Sequence, residues 1–205
     1  MPKDKTEMHE KIIKAATDEF LEYGFENASM RRIASEVGLT VGALYRHFSN
    51  KEDMFAALVG PAVDELMKRY HDFYESGFEV MKCGDINKLW NDSESEIKWL
   101  MNLIYDHFTE FKLIICCSQG TKYESFIHEM TLLEERSTLD YFEKMKQYGM
   151  NVKKVSEKEF HMLITANVSA LFEAVIHNFT REEAMHYAET LDEFFSAGWK
   201  KILGV

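Results

Sequence analysis

Residues 29–51 read SMRRIASEVGLTVGALYRHFSNK, and this stretch decides the fold. It contains two short helical runs separated by Gly38 and Leu39. Ser29 opens the first run, through Val37, because a serine hydroxyl can accept from the free amides of a first turn. Thr40 caps the second, over residues 41–47. Ile33, Ala34, Val37, Leu39, Leu44 and Phe48 supply the apolar faces, and Ala34 is small where the two helices must approach closely. A seven-residue helix is roughly 10 Å long, which suits a major groove about 12 Å wide. The spacing predicts a helix-turn-helix, whose second helix reads bases while the first crosses the backbone.

Working outward, residues 6–24 place Ile12, Ile13, Ala16, Phe20 and Leu21 at helical spacing, with Gly24 ending the run. Downstream, Ser49-Asn50-Lys51-Glu52 has the form of a capping box and starts a long fourth helix. Gly60-Pro61 predicts a kink or break in it, because proline lacks a donor and crowds the preceding turn. Asp85 caps a further helix to about residue 108, and residues 110–118 and 121–148 form two more, stopped at Gly120 and Gly149. Ser156 and Thr180, each with a glutamate three residues on, open two final helices to about residues 178 and 203. The expected fold is all-α. A three-helix helix-turn-helix domain occupies residues 1–55 and a larger helical domain residues 56–205, the boundary being a change of role within the fourth helix.

The formal net charge of −11 is at odds with binding phosphate. Counted locally, Arg31, Arg32, Arg46 and Lys51 face one acid, Glu36, so residues 29–51 carry +3. Residues 56–205 hold 16 basic and 25 acidic residues, or −9, which confines attraction for DNA to the N-terminal segment. Three cysteines, Cys83, Cys116 and Cys117, have no zinc-knuckle spacing and read as reduced buried thiols. The charged start MPKDKTEMHEK is unlike a secretory signal, and no apolar run reaches the roughly 18 residues of a membrane span, so a cytoplasmic protein without a membrane partner is expected. Metalloprotease, phosphate-loop and nucleophile-elbow motifs are absent from the sequence. Glu183 and His186 form one Glu-x-x-His without the second copy a di-metal bundle needs. No catalytic residue, metal or cofactor is expected.

Phe20, Gly24, Ile33, Ala34, Val37, Gly38, the run Gly42-Ala43-Leu44-Tyr45-Arg46-His47-Phe48, and Lys51 together resemble the TetR family of transcriptional regulators. The resemblance in motif covers about the first 55 residues. It implies that Thr40, Val41 and Ala43 face base edges, Thr40 by hydrogen bonding and Val41 or Ala43 by packing on a thymine methyl. Arg46 would reach a guanine or a phosphate. Tyr45, His47 and Lys51 match the family's phosphate-contacting positions, with Ser29 and Arg31 or Arg32 as further clamps. A lysine opening a helix opposes the helix dipole unless a phosphate is near, which favours that role for Lys51.

The resemblance further implies a homodimer that presents two reading helices roughly 34–36 Å apart to a double-stranded, (pseudo)palindromic operator. The last two helices would pair with their twins, through Leu171, Val175, Leu191 and Phe195 among others. A small, largely apolar effector would bind among the fourth to seventh helices, where methionines and aromatics suit a roomy pocket; Trp99, Phe108 and Phe126 are its expected lining. Its binding would release a repressor from DNA.

Overall fold

The computed structural model describes residues 2–82, 95–149 and 153–203. Among them all regular structure is helical: α1 (Pro2–Asn27), α2 (Met30–Glu36), α3 (Val41–Leu44), α4 (Lys51–Lys82), α5 (Glu96–Asp106), α6 (Phe108–Cys117), α7 (Phe126–Gln147), α8 (Glu157–Ile176) and α9 (Arg181–Leu203). The chain divides into two compact units: Met1–Asp64 with His107–Ser125, and Glu65–Asp106 with Phe126–Val205. The first unit therefore includes a later segment, α6, and the single helix α4 contributes to both.

The first unit grows from the apolar face of α1. Ile12, Ala16 and Phe20 are fully enclosed, and Ile33 and Ala34 of α2, Leu44 of α3 and Met54, Phe55 and Val59 of α4 complete the core. The α6 helix lies on α1 and buries Phe111, Leu113 and Ile114. The Phe55 ring meets Phe20 and Phe25 edge-on at 5.2 and 5.5 Å between centroids, a favoured aromatic geometry.

Two glycines direct the chain here. Gly24 interrupts α1 with φ 69° and ψ 165°, a region costly for any residue with a Cβ, and the helix resumes to Asn27 instead of ending at Gly24. Gly38, also at φ 69°, makes the α2–α3 turn, closed by the Leu39 amide on Ala34 O at 2.8 Å.

Other boundaries also differ from expectation. Only residues 41–44 of the third helix are regular; residues 45–47 form a turn, with the His47 amide on Leu44 O at 2.9 Å. Asn50 rather than Ser49 caps α4, its Oδ1 accepting from the Asp53 amide at 2.7 Å. The α4 helix passes Pro61 without a break. Val59, Ala62 and Leu66, buried on either side of the proline, hold it in place, so packing outweighs the lost backbone bond. The expected helix end near residue 108 falls at Asp106; His107 leaves the helical region and α6 starts at Phe108. Residues 121–125 are turn, and α7 starts only at Phe126. Asp85 and Cys83 lie outside the described residues. Cys117 is buried and Cys116 exposed, and desolvation pushes both thiols up.

The second unit is a helical bundle. Lys98 of α5 approaches Glu189 of α9 at 3.9 Å, while Arg181 at the start of α9 meets Asp106 at 2.8 Å, so α5 and α9 run antiparallel. The α8 helix is long and apolar enough to cross a membrane by composition, yet Phe160, Ile164, Val168, Leu171, Phe172, Ala174 and Val175 are buried within the chain, as in the core helix of a bundle. Both expected capping boxes form. Ser156 and Glu159 exchange side chain to backbone bonds, and so do Thr180 and Glu183. Asn178, at φ 54°, turns the chain between α8 and α9.

Candidate nucleic-acid interface

The α3 segment has one face in the core and one in solvent. Leu44 is fully buried and Phe48 nearly so, which anchors the segment. Thr40, Gly42, Tyr45, Arg46 and His47 are exposed, and Val41 and Ala43 half-buried. Thr40 Oγ1 accepts from the Ala43 amide at 3.1 Å, so its hydroxyl is fixed by the cap and still open to solvent. The four expected base-reading residues and the adjoining Tyr45 and His47 thus stand together on one exposed tip. Arg31, at the start of α2, is exposed too.

Three residues expected to contact phosphate make bonds within the chain. Lys51 is half-buried, and its Nζ donates to Phe25 O at 2.6 Å, Glu26 O at 3.0 Å and Ala28 O at 3.2 Å. Those bonds use all three donors of an ammonium. Arg32 donates through Nε to the Glu19 carboxylate at 2.8 Å and through Nη2 to Asn27 O at 2.9 Å, and stacks on the Tyr23 ring at 4.0 Å. In the free protein both cations bond to the protein's own groups. Ser29 precedes α2, but its side chain makes no cap bond; its amide donates to Glu19 at 2.6 Å instead. Burial alone would raise the Glu19 carboxyl, but the Arg32 and Ser29 hydrogen bonds and the charges of Arg32 and Lys51 outweigh it and hold the group below the usual carboxylate range.

Gly42 belongs to the run that carries the resemblance but was assigned no role of its own. It is exposed, its φ is not positive, and a Cβ added there would meet nothing within 4 Å. The fold therefore does not require glycine at this position. Glycine lowers helix stability by roughly 0.5–1 kcal/mol relative to alanine. The discoverable signal was a glycine inside a helix too short to spare one.

Residues 12–58 match the family described as bacterial regulatory proteins, tetR family. That segment, the helix-turn-helix with the helix before it, is similar to this family. It is 40% identical over 85 residues to HTH-type transcriptional regulators of Staphylococcus aureus strains USA300 and NCTC 8325, an alignment covering 40% of this chain and 46% of each relative. The chain thus spans about half the length of the curated relatives it matches. Over most of its length it shares a fold with solved TetR-family structures. The regulator PfmR from Thermus thermophilus superposes with a TM-score of 0.58 at 17% identity, covering 91% of this chain and 97% of that one. A TetR-like regulator from Rhodococcus sp. RHA1 gives 0.52 at 16% identity, with 93% and 96% covered. These likenesses establish the all-α fold. The matched segment includes the exposed α3 tip.

The residues expected to line an effector pocket fall in both units. Trp99 and Phe126 are buried in the second unit, where Phe126 packs edge-on against Phe172 at 5.8 Å between centroids, whereas Phe108 belongs to the first. The buried Trp99 Nε1 has no hydrogen-bond partner among the described residues. Of the expected dimer residues, Leu171, Val175 and Leu191 are buried within the chain itself and Phe195 is half-buried. The exposed apolar side chains on α8 and α9 include Met162, Ile176 and Phe194, the last 72% exposed.

Proposed function

We propose that this chain is a ligand-responsive transcriptional repressor that binds a (pseudo)palindromic operator as a homodimer and is released by a small, largely apolar effector. One observation carries the DNA-binding part: Thr40, Val41, Gly42, Ala43, Tyr45, Arg46 and His47 crowd a small exposed tip whose anchor, Leu44, is buried. That arrangement presents groups able to read base edges beside groups able to hold phosphate. Dimerisation is supported by Phe194 and Met162, two large apolar side chains left in solvent at 72% and 66% exposure on the last two helices. A buried, unpaired indole N–H costs free energy that a bound acceptor would recover, so Trp99 supports an effector site in the second unit.

The mechanism is a population shift. An effector that binds one conformer of the second unit better than the other biases the equilibrium between them, and only that difference in affinity changes DNA binding. The α4 helix, continuous from Lys51 to Lys82, is the element through which both units would respond together.

The test is selection of duplexes from a random pool, followed by a salt titration and sedimentation of the complex. Enriched sequences with two-fold symmetry, two chains per duplex and affinity falling with salt are the expected result. Recovery of no enriched sequence, or of a single chain on an asymmetric site, overturns the proposal.

A further inference from the structure

We infer that Glu19 is a positioning residue for DNA binding: it grips the Arg32 guanidinium along one edge and presents the other edge to a DNA phosphate. This rests on the DNA-binding reading above. Glu19 is only 8% exposed, on a face of α1 that otherwise buries Ala15, Ala16 and Phe20. An enclosed carboxylate is costly unless it is bonded, and its bonds here all go to the start of the helix-turn-helix. It accepts from the Ser29 amide at 2.6 Å, from Arg32 Nε at 2.8 Å and from Arg32 Nη2. Nη2 also donates to Asn27 O at 2.9 Å.

A guanidinium has five N–H donors in a fixed plane. These bonds use those on Nε and Nη2, and Nη1 bonds to nothing among the described residues. The Tyr23 ring, 4.0 Å from the guanidinium carbon, covers one flat face. Arg32 is thus held by an edge and a face, with its side chain still 48% exposed. It stands in the first turn of α2, next to the exposed Arg31. In a helix-turn-helix this first helix is the one that crosses the DNA backbone. A loose arginine gives up rotamer freedom when it takes a phosphate. One already fixed by Glu19 does not, and its Nη1 donors keep their direction. The carboxylate also offsets part of the cation's attraction for DNA, so the two effects of Glu19 on binding have opposite signs.

Two experiments on the full chain use a random-sequence duplex at low salt. The first needs no variant. In nitrogen-edited NMR spectra the Arg32 Nε–H should exchange slowly with water in the free protein and stay protected when the duplex is added. Loss of protection on binding means that Arg32 leaves Glu19 to reach DNA, and overturns the inference.

The second is a double-mutant cycle on Kd with Glu19→Gln and Arg32→Gln, at a temperature where every variant is folded. Arg32→Gln should raise Kd roughly tenfold and make log Kd against log salt less steep by about one, as for one lost phosphate contact. Glutamine at position 19 keeps one acceptor, enough for the Ser29 amide, and loses the charge and the second acceptor that hold Arg32. Removing a negative charge by itself tightens DNA binding. Glu19→Gln should instead raise Kd roughly three- to tenfold, the scale of leaving one long side chain unordered. In the Arg32→Gln background the same substitution should change Kd by less than about twofold in either direction. Tighter binding by Glu19→Gln, equal weakening in both backgrounds, or an unchanged salt dependence for Arg32→Gln overturns the inference. If a variant does not fold, the Nε–H protection decides. If the wild type binds no duplex, the DNA-binding reading and this inference fall together, whereas additive variants of a wild type that binds sink the inference alone.

Discussion

Glu19 in the first unit and Glu96 in the second are both enclosed carboxyl groups, and their surroundings drive them in opposite directions. Glu19 faces two cations and an amide, which overcome its desolvation and keep it ionised. Glu96 faces burial and another acid, Glu134, and is driven well above the ordinary carboxylate range. Around that pair, the Tyr70 hydroxyl donates to Glu134 at 2.7 Å and the Thr138 hydroxyl at 3.0 Å, while the Tyr74 hydroxyl donates to Asp140 at 3.2 Å and the Tyr141 hydroxyl to Tyr74 O at 3.0 Å. Burial raises Tyr70, Tyr74 and Tyr141 as well, so the cluster favours its protons. Polar groups in the reading unit fasten backbone so that other residues can stay exposed. Around Glu134 in the helical unit they fasten helices to one another through hydroxyl donors.

The largest break in that comparison comes from the apolar core beneath the reading tip. Phe55→Ala should cost about 3–5 kcal/mol, the range for removing a fully buried aromatic ring. Amide exchange should show the loss concentrated in residues 12–58; uniform loss across the chain would mean that the two units do not unfold separately.

Phe194→Glu tests the exposed face of the second unit. It should raise the dimer dissociation constant roughly thirtyfold, as expected for an aromatic anchor worth about 2 kcal/mol. Sedimentation unchanged by this substitution would put the dimer surface elsewhere.

The two carboxyls predict opposite responses to pH. Glu19 is lowered on folding, so its contribution is present above its unfolded pKa and is lost as pH falls through the folded value. Glu96 is raised, so its contribution is fully present below its unfolded pKa and is lost as pH rises through the folded value. Glu96→Gln should therefore flatten the loss of stability towards alkaline pH, and Glu19→Gln the loss towards acid pH, each measured by thermal unfolding. Identical effects of the two substitutions would end the comparison.

The smallest effect is the most diagnostic. Gly42→Ala should stabilise the free protein by about 0.5–1 kcal/mol and yet weaken duplex binding, because the added methyl stands on the exposed tip. If affinity holds, the glycine has no role at the DNA surface.

The helix-turn-helix was legible because its signals are local. Glycines at the two turns, Thr40 at a helix start and apolar positions at helical spacing act within a few residues, and each leaves its mark on the backbone. The same holds for the capping boxes at Ser156 and Thr180. The surroundings of charge were not legible: the sequence does not reveal the carbonyls and carboxylate folded beside Arg32 and Lys51. Nor was the burial of Leu171, Val175 and Leu191 within the chain legible, since a helical stripe is apolar whether its own chain or another covers it.

The amino-acid order by itself therefore determined the helical content, the Gly38 turn and the two capping boxes, since hydrophobic period, caps and glycine geometry are short-range properties. Tertiary structure decided which cations are free, which apolar stripes remain uncovered, and that Glu96 lies beside Glu134 from 38 positions away. Those outcomes depend on which distant groups become neighbours, and desolvation and hydrogen bonding act on neighbours in space.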